Sequence, residues 1–97
     1  MIVNERETQE GLLVAVCDSD VVGETYEADD LSLTVTEEFY GGDEVDETAV
    51  VESLARADVA NIVGTRAVEL AIEEGFVDEA NVLEVGETLH AQLLRLY

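Results

Sequence analysis

The stretch Gly11–Cys17 reads GLLVAVC, seven residues with no charge and no alternating polar position. A strand that faces water on one side alternates apolar and polar residues, whereas one covered on both sides reads as a continuous apolar run. This segment therefore needs cover above and below, and a chain of 97 residues has to supply it within a single domain. A domain of that size buries only about 60–65% of the surface of its unfolded chain, so few elements are available for the task.

The rest of the pattern suggests what those elements are. Ile2–Asn4 reads as a first strand, joined to Gly11–Cys17 by the polar ERETQE. Residues 18–30 are polar and turn-rich, with Gly23 as punctuation. Leu31–Thr36 (LSLTVT) alternates, with Leu31, Leu33 and Val35 facing in, and the sequence then passes through Phe39 and Tyr40 to Gly41 and Gly42. Phe39 and Tyr40 are expected to close the core beneath the first helix. Asp46 is placed to cap that helix over Glu47–Ala57, with Val50, Val51, Leu54 and Ala57 as its apolar stripe. A second helix is expected over Val59–Glu74, capped by Asp58 and ended by Gly75. Gly64 interrupts it at a cost of about 1 kcal/mol relative to Ala, and the alternative is a break there with Thr65 as a fresh cap. Val82–Val85 reads as a strand and Gly86–Glu87 as a two-residue hairpin turn. For the last stretch, Leu89, Leu93 and Leu96 fit a helix, while a return strand would set Val85 opposite Thr88 and Leu83 opposite His90. The expected architecture is a single α+β domain over residues 1–97. It is a small, largely antiparallel sheet with two helices packed on one face, in the order β-β-β-α-α-β-β.

Charge bears on where such a domain can work. The chain carries 24 Asp and Glu against four Arg and has no Lys, for a net charge of −20. Self-repulsion on that scale strains a compact state in ordinary salt. At molar salt the Debye length shrinks to about 3 Å and the strain is largely relieved. An apolar fraction of 47% is too high for a disordered acidic tail, so the composition points to a folded protein of a salt-filled, halophilic cytoplasm. The acids are spread, 15 in residues 1–48 and nine in 49–97, which argues against an acidic mimic of nucleic acid. DNA binding is not expected of such a chain. There is no 18-residue apolar run for a membrane span, and no basic segment leading an apolar one as in a secretory leader. Cys17 is the single cysteine and His90 the single histidine, so neither an internal disulfide nor a metal or cofactor site is expected.

Four blocks of the sequence are similar to a known family. These are VCDSDVVGETY (Val16–Tyr26), EEFYGG (Glu37–Gly42), ANIVGTRAVELAIEEGFVDEANVL (Ala60–Leu83) and HAQ (His90–Gln92). In order and spacing they resemble the archaeal family known as domain of unknown function four-two-four, over nearly the whole chain. The resemblance implies a cytoplasmic α/β domain of about this length and carries no activity with it. Members commonly place Pro directly before HAQ, where this chain has Leu89. A Pro there favours an extended segment and so implies a strand over Thr88–Leu93.

The most informative feature for function is where acid is missing. Val59–Val68 and Thr88–Tyr97 are the two longest stretches without a carboxylate, ten residues each. On a molecule whose skin is carboxylate, such a stretch is either interior or covered by a partner. Asn61, Thr65, Arg66, His90, Gln92 and Arg95 are poor core residues, so these six form the candidate partner-binding surface. Simpler roles compete with that reading. Arg66 can pair with Glu69 or reach Glu73, for about 0.3–0.5 kcal/mol. If the helix breaks at Gly64, Arg66 and free N–H groups could instead make an anion site. A Cys17–His90 dyad needs the fold to bring the two together. Gly23-Glu24-Thr25 lacks the other glycines and the Lys of a phosphate loop. Asp29-Asp30 and Glu37-Glu38 lack the spacing of a calcium loop.

The expected function is a non-enzymatic cytosolic binding or adaptor module whose partner is a protein or an RNA–protein, translation-related assembly. One alternative is a small enzyme acting on an anionic metabolite, with Arg66 as anchor and His90 as acid or base. Another is a homo-oligomer built through an exposed final strand.

Overall fold

In the computed structural model, which describes residues 1–95, eight strands and three helices form two unequal sheets. The chain runs β1 (Ile2–Thr8), β2 (Gly11–Cys17), β3 (Thr25–Ala28), β4 (Leu31–Thr34), α1 (Glu37–Tyr40), β5 (Asp43–Glu44), α2 (Glu47–Arg56), β6 (Val59–Val63), α3 (Thr65–Glu73), β7 (Leu83–Val85) and β8 (Thr88–Leu94). The main sheet has the order β5-β1-β2-β6-β8-β7, and the β3–β4 hairpin stands apart as a two-stranded sheet. Only β2 and β6 pair in parallel, and every other neighbouring pair is antiparallel. The fold is α+β, largely antiparallel, with α2 and α3 on one face. The expected succession of elements holds in outline, with β3, α1, β5 and β6 added.

The two faces of the sheet are filled differently. On one, Val50 and Leu54 of α2 and Ala67, Val68, Leu70 and Ala71 of α3 meet Val14, Val16, Ala60, Ile62 and Ala91 of the strands. Each buried Val, Leu or Ile among them contributes about 1.5–3 kcal/mol by leaving water, and each Ala less. On the other, Val21, Val35 and Tyr40 cover Ala15, Cys17 and Val63, with Tyr26, Leu33 and Phe39 packed against them. Residues Val14 to Cys17 are at most 1% exposed, so the apolar run at the centre of β2 is covered from both sides as its composition requires.

The largest departure from the sequence reading is Val59–Glu74, which is a strand, a glycine and a helix rather than one helix. In β6, Ala60 and Ile62 face α2 and α3, while Val59, Asn61 and Val63 face the other way. Apolar residues on both faces of a central strand produce i, i+3 and i+4 matches by coincidence, so periodicity could not separate the two readings. Gly64 has φ +116, and a Cβ there would run into the Asp18 side chain, so the strand stops and α3 starts afresh. Asp18, at the end of β2, caps the new helix by accepting from the N–H groups of Arg66 at 3.0 Å and Ala67 at 2.8 Å. The capping roles expected of Asp58 and Thr65 are therefore not filled by them. Asp58 instead accepts from the Leu12 N–H at 2.7 Å, and Thr65 is the first residue of α3, whose Gly64 cap makes no side-chain bond.

Smaller differences follow from local chemistry. The first strand continues to Thr8 because its charged residues alternate correctly, with Glu5 pointing to Ser53 and Arg56 of α2. The alternating strand ends at Thr34, since Val35 turns into the core and Thr36 caps α1. Leu31, expected to face in, is 42% exposed at the hairpin turn. Tyr40 closes the core, but on the face away from α2, and Phe39 lies edge-on to it. Thr88–Leu94 is a strand, with Val85 opposite Thr88 and Leu83 opposite His90 as the hairpin register predicts. The helical alternative for the last stretch included Leu96, which with Tyr97 lies outside the described residues.

Candidate functional site: an open sheet face without carboxylates

The short covering elements shield only part of the sheet face opposite α2 and α3. Register and strand alternation assign that face residue by residue. It carries Ile2, Asn4, Arg6 and Thr8 of β1; Gly11, Leu13, Ala15 and Cys17 of β2; Val59, Asn61 and Val63 of β6; Thr88, His90, Gln92 and Leu94 of β8; and Leu83 and Val85 of β7. Among the described residues, these five strands send no carboxylate to it. The strand carboxylates of β1 and β7, namely Glu5, Glu7 and Glu84, alternate to the helix side. The Arg56 guanidinium and then the Ser53 hydroxyl hold the Glu5 carboxyl below its usual range. Glu44 of the edge strand β5 stands beside Ile2, where it accepts from the Ser19 hydroxyl.

Asn61 and Gln92 lie at the middle of the open part. They are direct cross-strand partners, and Gln92 Nε2 donates to Asn61 Oδ1 at 2.9 Å. His90 is two residues along β8, half-buried, and burial lowers its pKa from the ordinary imidazole value. It is therefore a neutral donor and acceptor at neutral pH rather than a cation. Leu83 (48% exposed) and Leu94 (62%) flank it, and with Asn81, His90, Ala91 and Gln92 they line a shallow cleft of about 460 Å³. At the β1 border Arg6 is held in place over the Phe39 ring, 5.0 Å from its centroid. Its guanidinium donates to Asn4 Oδ1 and to the carbonyls of Glu38 and Phe39. The surface is thus uncharged across its middle, amide-bearing, rimmed by leucines and bordered by one fixed cation.

Of the six residues singled out in the sequence, the fold brings Asn61, His90 and Gln92 together and sends the other three elsewhere. Thr65 and Arg66 start α3, where the chain's own Asp18 already occupies the anion position at the helix N-terminus. Arg66 lines clefts with Asp18, Asp20 and Glu44, and among the described residues no ion pair joins it to Glu69 or Glu73. Arg95 closes the other end of a helix: its Nη1 donates to the carbonyls of Ala55 at 2.9 Å and Ala57 at 2.7 Å, at the C-terminus of α2. Arg66 and His90 line separate clefts. Cys17 and His90 share a face but have Val63 between them, two strand spacings or about 10 Å apart, beyond hydrogen-bond reach. The thiol is fully buried and pushed up to about 11 by desolvation. Among the described residues, no group of three or more His, Cys, Asp or Glu is placed to hold a metal ion, and no helix is long and apolar enough to cross a membrane.

Leu13, Leu83, Leu94 and Arg6 also belong to this face; the return-strand register already put Leu83 and Leu94 beside His90, while Leu13 and Arg6 escaped the sequence reading. Leu13 and Arg6 join only through the β1–β2–β6 pairing, which no local pattern announces.

Fold and surface together define a small α+β protein with a helix-backed sheet and one bare, acid-free face. Residues 5–96 match the family model described as "Protein of unknown function (DUF424)", and the chain belongs to that family. No curated protein matches it. Among solved structures it is similar to an uncharacterized conserved protein from Methanopyrus kandleri, with 22% identity and a TM-score of 0.77. That match covers 99% of this chain and 94% of the other and establishes a shared fold.

Proposed function

We propose that the chain is a non-enzymatic binding or adaptor module of a halophilic archaeal cytoplasm, and that it docks a protein or RNA–protein assembly through the open sheet face. One observation carries the reading: a chain with 24 acidic residues directs none of those on β1, β2, β6, β7 and β8 to this face. Brine alone gives no reason to spare a half-exposed surface from acid. An uncharged surface spared in this way can take a partner without desolvating carboxylates or repelling an acidic partner. A protein surface fits better than bare RNA. Among the described residues the open area has amides and leucines but, apart from His90, no ring for base stacking, and the net charge of −20 opposes phosphate.

The test is to cross-link the full chain in native extract at molar KCl through a photoreactive residue at Leu13, with Glu47 on the helix side as the control position. A protein captured from position 13 and not from 47, and lost on Asn61→Glu, supports docking at this face. Capture that ignores Asn61→Glu, or occurs equally at both positions, refutes it. Melting in graded KCl tests the salt setting: screening should raise the midpoint steadily up to molar salt, and a flat profile removes that part of the proposal.

A further inference from the structure

The two long edges of the main sheet are treated differently. On the β1 side, β5 pairs with Ile2 and Val3, the Asn4 amide donates to the Gly41 carbonyl, Arg6 donates to carbonyls of Glu38 and Phe39, and Glu5 and Glu7 guard what is left. On the other side β7 stops at Leu83, opposite His90, while β8 continues to Leu94. The Leu89 carbonyl accepts from the Gly64 N–H and the Arg95 N–H donates to the Asp58 carbonyl, so odd-numbered residues of β8 turn their backbone groups inward to β6. Even-numbered ones turn outward. His90 faces β7, but the N–H and C=O of Gln92 and Leu94 extend past its end, and among the described residues no strand lies beside them. The cleft lined by Leu83, His90, Gln92 and Leu94 is the space that a further strand would fill.

We propose that this free half of β8 pairs antiparallel with the same segment of a second copy, across a two-fold axis at Leu93. In that register Gln92 lies opposite Leu94 of the other chain and Leu94 opposite its Gln92. The outward N–H and C=O groups of both residues on both chains are then satisfied, and Leu93 meets its own counterpart as the non-hydrogen-bonded pair. Moving the axis to Gln92 would set Leu94 against His90, whose outward groups β7 already holds. The charge distribution selects a like chain. β8 carries no carboxylate, so this is an edge along which two chains of charge −20 can approach without acid facing acid. Leu94, the most exposed large apolar side chain among the described residues, is covered in the process. An unguarded edge strand invites such pairing, as the acid-guarded β1 edge does not. The two open faces then lie side by side in one extended sheet. The pairing does not depend on the docking proposed above, because Asn61 and Leu13 stay uncovered.

Sedimentation equilibrium of the full chain from about 0.5 to about 3 M KCl tests it, since the Debye length falls below contact distance over that range. A dimer that tightens as KCl rises is expected; a monomer at every concentration, or a dimer that loosens with salt, overturns the proposal. Leu94→Glu leaves the core untouched and should weaken association at least about tenfold at an unchanged melting temperature. A dimer indifferent to it overturns the pairing. Leu93→Cys reports the register, because a non-hydrogen-bonded pair brings Cα atoms to about 4.5 Å, within disulfide range. Oxidation should join two chains through that position while buried Cys17 stays reduced. Failure to join while the dimer persists rules the register out.

Discussion

Val59 and Val63 leave the same strand on the same side, four residues apart, and meet opposite conditions. Val63 is fully buried beneath the β3–β4 hairpin and α1, in contact with the layer of Val21, Val35 and Tyr40. Val59 is half-exposed, opposite Leu94, on a part of the sheet with no such layer. Nothing in the two side chains distinguishes them. What differs is whether the short polar elements reach far enough to cover the strand, and they reach only the end at which β2 and β6 finish. One half of the face contributes stability, and the other is available for contact.

That contrast can be measured. Val63→Ala should lower stability by about 2–3 kcal/mol, through lost burial and the cavity left behind, and shift the melting point by about 10–20 °C. Val59→Ala should cost no more than about 1 kcal/mol, because water already reaches the site. Equal losses from the two, in urea titrations at fixed molar salt, would mean that the bare half is covered after all. The Asn61–Gln92 bond is exposed and neutral, so a double-mutant cycle to Ala should give a coupling of about 0.5–1 kcal/mol. A coupling of zero would show that the amides prefer water and do not define a fixed pattern for a partner.

Acidity should act on His90 in one direction. Its folded pKa is lowered by burial, so the unfolded chain takes the proton more readily. The contribution of neutral His90 is complete above about pH 6.5, is lost as pH falls through the folded value and then levels off. Compared with His90→Gln, the wild-type urea midpoint should fall more steeply as pH drops below about 6.5; parallel curves would place the ring in water. The smallest effect belongs to Leu94→Ser, within about 0.5 kcal/mol for the monomer despite the size of the side chain.

Much of this was legible in the chain, and the misses have physical causes. β2 announced itself because burial on both faces removes every polar position. The hairpin β7–β8 followed from Gly86-Glu87 and a register that is local. The break at Gly64 stayed hidden behind the single-helix pattern, since residues 59–63 satisfy helical spacing as a by-product of being buried on both sides. β3 and β5 were invisible because a four-residue hairpin strand and a two-residue edge strand bury too little to leave a pattern. Of the candidate site, Asn61, His90 and Gln92 came from a charge signal that survives in linear sequence. Arg66 and Arg95 shared the signal but lie at helix ends, Arg66 beside Asp18 at the start of α3 and Arg95 on the last carbonyls of α2.

By itself the sequence determined which segments could not face water on either side, where a hairpin had to turn, and which stretches were kept free of negative charge. These are local properties, set by side-chain chemistry and the two-residue period of a strand. Only the tertiary structure decided that two separate acid-free stretches lie side by side, that their amides meet, and that three of the six polar residues in them lie at helix ends instead, where only Arg95 bonds the helix carbonyls. Those outcomes depend on the parallel pairing of β2 with β6 across a gap of more than forty residues and on how far the covering hairpin extends, which no local pattern records.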